Sequence, residues 1–263
     1  MIRFFLLVAF VSISLAEQCS NPPSPSPAKS TCACKKCTSE YRLKHKFDEN
    51  NNACRECIYK IYDELNLAFP EEAYRDLYCG CKFEYKPAKG HNNIRFYPEG
   101  RFKNSTKAGP FDDGVDLEHV FPKSRFNQDN YLSTDFHNLF PAIGMINTDR
   151  GTKDFADWDN EDSTRIEYGK CGTFIQGDRI YPRYEVKGMI ARAYLYIADQ
   201  AEKRLGMKKN SLFPDSYLKQ VYTDWNKSFP PTPFECKREK IIQEIQGNHN
   251  PYISNHPNCK FIK

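Results

Sequence analysis

Three short stretches hold most of the residues able to do chemistry. The first is Asp116-Leu117-Glu118-His119-Val120-Phe121-Pro122. The second is Asp135-Phe136-His137-Asn138-Leu139-Phe140-Pro141, and the third is Gly144-Met145-Ile146-Asn147-Thr148-Asp149-Arg150-Gly151. A set of this kind can hydrolyse a phosphodiester. Water needs a base that titrates near neutrality, and histidine is that side chain. The scissile phosphate and its leaving oxygen need a cation. A hard ion such as Mg²⁺ takes oxygen ligands, often only one or two from protein, and Glu118 and Asn147 offer a carboxylate and an amide oxygen. Arg150 follows Asn147 by three residues. On a helix the two project from one face, so metal and guanidinium can meet one phosphate. Lys123 and Arg125, just after the Glu-His pair, are candidates for holding substrate phosphates. Taken singly, a Glu-His pair reads as a surface ion pair and a His-Asn pair as a loop hydrogen-bonder.

Positioning imposes a constraint. In a regular strand Glu118 and His119 face opposite sides. Both can serve one phosphate only if the strand ends or bulges there, and Pro122 makes an ending plausible. Downstream the pattern turns helical. Glu185 to Leu205 places Val186, Ile190, Ala193, Tyr194, Ile197, Ala201 and Leu205 on one stripe. Tyr217 to Trp225 gives another, and upstream Cys57 to Leu67 carries a helical apolar pattern of its own. Thr232-Pro233-Phe234-Glu235 reads as a capping box, with Gly247 as the stop. Tyr78 to about Phe126 is aromatic, broken by glycine and proline, and reads as short strands and long loops. The class expected is α+β, with a mostly helical C-terminal half.

The N-terminal end sets the compartment. Arg3, the apolar run Phe4 to Val11 and the small residues Ser14 and Ala16 on either side of Leu15 read as a secretory signal peptide over residues 1–16. The run is too short for a bilayer's ~30 Å hydrocarbon core, and no other stretch approaches that length. No membrane partner is therefore expected, and nothing calls for an obligate protein partner. Residues 17–70 read as a Pro/Ser linker followed by a cysteine-rich module, and 71–263 as the chemistry-bearing domain. Eight of the 11 cysteines lie between Cys19 and Cys81. Cys34, Cys37, Cys54 and Cys57 have the spacing of a zinc site. Export favours disulfides instead, and the odd total leaves one thiol over. The composition, 40% apolar and 27% charged, excludes a disordered tail, a collagen and a multi-span membrane protein. A net charge of +4 permits an anionic partner without arguing for one. There is no His-Glu-x-x-His element to suggest a zinc protease.

The three motifs, in this order, closely resemble the endonuclease I family of exported nucleases, which belongs to the ββα-metal (His-Asn-His-like) superfamily. Tyr78-Cys79-Gly80-Cys81 upstream also matches. So do Lys187-Gly188, Ala191-Arg192-Ala193-Tyr194, Trp225-Asn226-Lys227, Phe234-Glu235-Cys236 and Gln246-Gly247-Asn248-His249-Asn250-Pro251-Tyr252 downstream. The resemblance covers roughly residues 73 to 255. It implies a ββα-metal motif in which His119 is the general base and Glu118 and Asn147 are the metal ligands. Asn138 would brace the histidine loop, with His137 structural beside it. It also implies Mg²⁺ as the usual metal, DNA and RNA as substrates without strong sequence preference, and 5′-phosphate products. Family members often carry a transition-state arginine on a cysteine-bracketed insertion between the Glu-His and His-Asn elements. Here the gap from Pro122 to Asp135 is short and lacks cysteine, which leaves Arg150 and Arg125 as candidates. The function expected is a secreted or periplasmic, metal-dependent endonuclease. The rivals are an RNA-restricted nuclease and a disulfide-rich binding protein that kept the scaffold without activity.

Overall fold

The computed structural model describes residues 52–87, 94–98, 115–157, 166–167 and 172–260. The expected signal peptide, the Pro/Ser linker and the cysteines up to Cys37 lie outside the described residues. Helix α1 (Asn52–Ala68) precedes a hairpin of β1 (Phe83–Pro87) and β2 (Ile94–Pro98). Strand β3 (Val115–His119) pairs antiparallel with β4 (Leu139–Ile143), with Glu118 opposite Phe140 and His119 opposite Leu139. Between these strands run a 3₁₀ turn (Lys123–Phe126) and helix α2 (Asn130–Ser133). Helix α3 (Gly144–Arg150) follows β4 with no residue between. Strands β5 (Asp154–Phe155), β6 (Ile166–Glu167), β7 (Phe174–Gln176) and β8 (Arg179–Tyr181) form a small sheet in the order β5-β8-β7-β6, where only β5 and β8 run parallel. Among the described residues four α-helices follow: α4 (Lys187–Leu205), α5 (Ser216–Ser228), α6 (Pro233–Gln246) and α7 (Pro251–Ser254). The class is mixed α+β, with its long helices concentrated in the C-terminal half. Among the described residues no helix is long and apolar enough to cross a membrane.

Local signals place the helix ends. The Asp215 side chain accepts from Leu218 N and starts α5. The Thr232 side chain accepts from Glu235 N and Pro233 opens α6. Gly247, at φ 86°, ends that helix in a conformation that disfavours any side chain. The expected capping box is half made. The Glu235 carboxylate turns inward to Arg192, whose Nε and Nη2 donate to its two oxygens at 2.7 and 2.6 Å. A buried guanidinium gains more from a bidentate partner than an exposed N-cap N–H does.

Helix α4 also differs from a single-striped surface helix. Ile190, Ala191, Arg192, Ala193, Tyr194, Leu195, Tyr196, Ile197 and Ala198 are all buried, so neighbours surround it. Tyr194 stacks on Tyr222 of α5 with centroids 4.1 Å apart, inside the larger of two apolar clusters. The second cluster joins Cys57, Ile58, Ile61, Tyr62 and Leu65 of α1 to Phe136, Leu139, Ile241 and Ile242. The described part of the expected N-terminal module thus packs with the residues that carry the His-Asn element. Cys57, Cys79 and Cys81 are each disulfide-bonded, which removes Cys57 from any zinc thiolate set. Cys236 on α6 is bonded to Cys259.

Candidate active site

Strand β3 is regular up to His119, and the chain bends at Val120 and Phe121. Asn138 holds that bend. Its Oδ1 accepts from Phe121 N at 2.8 Å and its Nδ2 donates to Phe121 O at 3.1 Å. Its own backbone carbonyl accepts from Val120 N at 3.1 Å. An asparagine amide matches a peptide group donor for acceptor, and Asn138 is fully buried here. Asn138→Ala leaves both Phe121 groups without a partner and is expected to cost about 2–4 kcal/mol in a urea unfolding experiment.

The loop carrying Asn138 is anchored in turn. Asp135 Oδ1 accepts from His137 N and Gln246 Nε2, and Oδ2 from Tyr196 Oη and Asn248 Nδ2, all within 3.1 Å. Arg238 Nη2 donates to the carbonyls of Phe136 and Leu139. His137 lies inside this scaffold, with its ring 4.9 Å from that of Tyr196 and its Nδ1 3.1 Å from Glu239 Oε2.

The far side of the bend opens into a cleft of about 530 Å³. Glu118, His119, Lys123, Asn147 and Arg150 line it, together with Asp116. His119 is half-buried, and its Nε2 lies 2.7 Å from the Ser133 carbonyl. A carbonyl can only accept, so Nε2 carries the hydrogen and Nδ1 keeps its lone pair. Burial pushes the imidazole down to about 3, and the Lys123 charge adds to this. The ring is therefore neutral. Glu118 is buried, with Oε1 2.7 Å from Arg150 Nη1. Burial raises its carboxyl above the usual range, against the pull of Arg150.

The two arginine candidates sit differently from the expectation. Arg150 is 1% exposed and bound to Glu118 and to main-chain carbonyls, so its guanidinium is not presented to a phosphate. Arg125 lies outside the cleft lining. It makes a bidentate pair with Asp154 and bonds the Tyr194 hydroxyl and the Thr152 carbonyl. Both became candidates because the arginine-bearing insertion is missing, and the partners each one holds direct both elsewhere. Asn138 and His137 also stand outside the lining, behind the bend. Sequence reading gave no sign of the Ser133 carbonyl, because a backbone acceptor carries no residue signature. Nor did it single out Gln128, which lines the cleft in left-handed backbone at φ 52°.

Among the described residues no three His, Cys, Asp or Glu side chains are placed to hold a metal ion together. The cleft instead offers hard oxygen donors: the Glu118 carboxylate, the Asn147 amide, and hydroxyls of Ser124, Thr148 and Thr152. Such a set suits an ion that keeps most of its water, as Mg²⁺ does, and not a thiolate-bound zinc.

Comparison with known proteins accords with this geometry. The sequence profile of the family described as Endonuclease I matches residues 51–258. An extracellular deoxyribonuclease of Aeromonas hydrophila is 28% identical over 225 residues, covering 76% of this chain and 87% of the relative. Endonuclease-1 of Buchnera aphidicola subsp. Acyrthosiphon pisum is 30% identical over 212 residues, covering 73% and 78%. An extracellular ribonuclease of Bacillus subtilis is 35% identical over 184 residues, covering 65% and 61%. The match spans the β3–β4–α3 unit, the cleft and all four C-terminal helices, and the chain belongs to the endonuclease I family of hydrolases.

Proposed function

We propose that this chain is a secreted, divalent-metal-dependent endonuclease that hydrolyses DNA and RNA with little sequence preference. The observation that carries the reading is the convergence of Glu118, His119 and Asn147 on one open cleft, from positions up to 29 residues apart. The relatives support it by their names, which include deoxyribonucleases, ribonucleases and extracellular or periplasmic forms. On this reading β3, β4 and α3 are the ββα-metal motif. Residues 71–263 form the catalytic domain, while residues 1–16 direct export.

His119 Nδ1 takes a proton from water, with the ring held by the Ser133 carbonyl. The resulting hydroxide attacks phosphorus, the bond to the 3′ oxygen breaks, and that oxygen takes up a proton from solvent. The products carry 5′-phosphate and 3′-hydroxyl ends. Glu118 and Asn147 are the residues that would hold Mg²⁺, which when bound supplies positive charge to the phosphate and the leaving oxygen. Lys123 steadies the substrate phosphate from the cleft wall. Lys123→Met is expected to weaken DNA binding about equally for all sequences and to reduce the slope of log K against log salt by about one. A salt titration of DNA affinity checks this, and an unchanged slope removes Lys123 from the phosphate contacts. The reading as a whole is tested by digesting matched DNA and RNA and identifying the ends. Cleavage of RNA alone would favour the RNA-restricted alternative.

A further inference from the structure

We infer that Arg150 is a positioning residue: it fixes the Glu118 carboxylate and the end of β3 so that consecutive residues 118 and 119 serve one cleft. The inference rests on the nuclease reading above and deepens it. A guanidinium has five N–H donors. In Arg150 four are used, by Lys153 O from Nε (3.0 Å), Glu118 Oε1 (2.7 Å) and His119 O (2.9 Å) from Nη1, and Val120 O from Nη2 (2.7 Å). The Phe155 ring lies 4.7 Å below the group. With four donors used, one face on a ring and 1% exposure, it has no fork to offer a phosphate.

The pattern of partners says what it does instead. In a regular strand, successive carbonyls point to opposite edges. Here the carbonyls of His119 and Val120 converge on one guanidinium, which requires the extended conformation to stop at His119. That answers the constraint set by the adjacent Glu-His pair, whose side chains would otherwise face apart. The same Nη1 that takes the His119 carbonyl also takes Glu118 Oε1. One carboxylate oxygen is thereby committed to Arg150. Arg150 sits at the last turn of α3, three residues from Asn147, so one side chain ties the helix bearing Asn147 to the strand bearing Glu118 and His119. Partners of this kind behind a metal ligand typically matter about 10–100-fold in metal affinity.

The test is direct binding of Mn²⁺, read from the electron paramagnetic resonance signal of the free ion, alongside Mg²⁺-dependent cleavage of DNA. Arg150→Lys keeps a positive charge but cannot reach all four acceptors. The expected result is a fold retained by circular dichroism, a Mn²⁺ Kd raised about 10–100-fold, and a parallel rise in the Mg²⁺ needed for half-maximal rate. The KM for DNA stays near wild type. Phe155→Leu is the second variant, since it alters no charge and withdraws the ring beneath the guanidinium while keeping an apolar side chain in the cluster. It is expected to raise the Mn²⁺ Kd in the same direction, and it decides the matter if Arg150→Lys does not fold. Unchanged Mn²⁺ affinity in the folded variants, or a loss confined to KM for DNA, would overturn the inference while leaving the nuclease reading intact. A wild-type protein that neither binds Mn²⁺ nor cleaves would overturn both.

Discussion

Replacing His119 by alanine is expected to lower the turnover number about 10²–10⁴-fold, the usual worth of a positioned general base. The fold should survive. The ring is half-buried at the end of β3 and lies in neither apolar cluster, so its removal opens no core cavity. What disappears is the neutral imidazole that lines the cleft, held by the Ser133 carbonyl with its Nδ1 lone pair left open. His137, seventeen positions nearer the C-terminus than Val120, cannot take over. It lies inside the scaffold against Tyr196 and Glu239, outside the cleft lining. The check is kcat on plasmid DNA together with the thermal midpoint. A loss of rate with an unchanged midpoint is the expected pair, and an equal loss in His137→Ala with an unchanged midpoint would contradict the assignment.

The largest expected effect on stability is at Glu235. Its carboxylate and the Arg192 guanidinium are 2% and 1% exposed and meet through two short bonds. Arg192 Nη1 also donates to the Phe229 carbonyl, the same oxygen that stands 2.3 Å from where a Cβ on Gly188 would sit. Gly188 is thus the residue that lets the α5–α6 connection approach α4. Glu235→Ala strands a buried guanidinium in the central helix and is expected to cost about 3–5 kcal/mol. For a domain of this size that corresponds to a Tm lower by roughly 6–20 °C. The double replacement Arg192→Met with Glu235→Leu removes both charges and should recover part of the loss. Urea midpoints of the three proteins settle the matter, and a Glu235→Ala protein as stable as wild type would refute the role given to this pair.

The parts of this molecule that local chemistry dictates were legible in the sequence. Thr232, Pro233 and Gly247 marked both ends of α6 because a cap, a fixed φ and a left-handed residue act within one turn. The Glu-His, His-Asn and Gly-x-x-Asn elements stood out by residue type and order. What depended on distant partners was not legible. Glu235 reads as a capping residue until Arg192, 43 positions away, is placed beside it. Arg150 reads as a phosphate ligand until the His119 and Val120 carbonyls are seen to converge on it. Arg125 reads likewise until Asp154 and Tyr194 claim it. In each case a long charged side chain has several partners within reach, and tertiary burial selects among them.

The central claim is that one cleft, with His119 as base and Glu118 and Asn147 as ligands, cleaves nucleic acid. Its most direct test is digestion of plasmid DNA and of RNA by the oxidised mature protein, with Mg²⁺, with a chelator, and with His119→Ala. The account predicts cleavage of both substrates with Mg²⁺, none with the chelator, and a near-complete loss in the variant. Undiminished cleavage by His119→Ala would contradict it, as would a well-folded wild-type protein inert under several divalent ions.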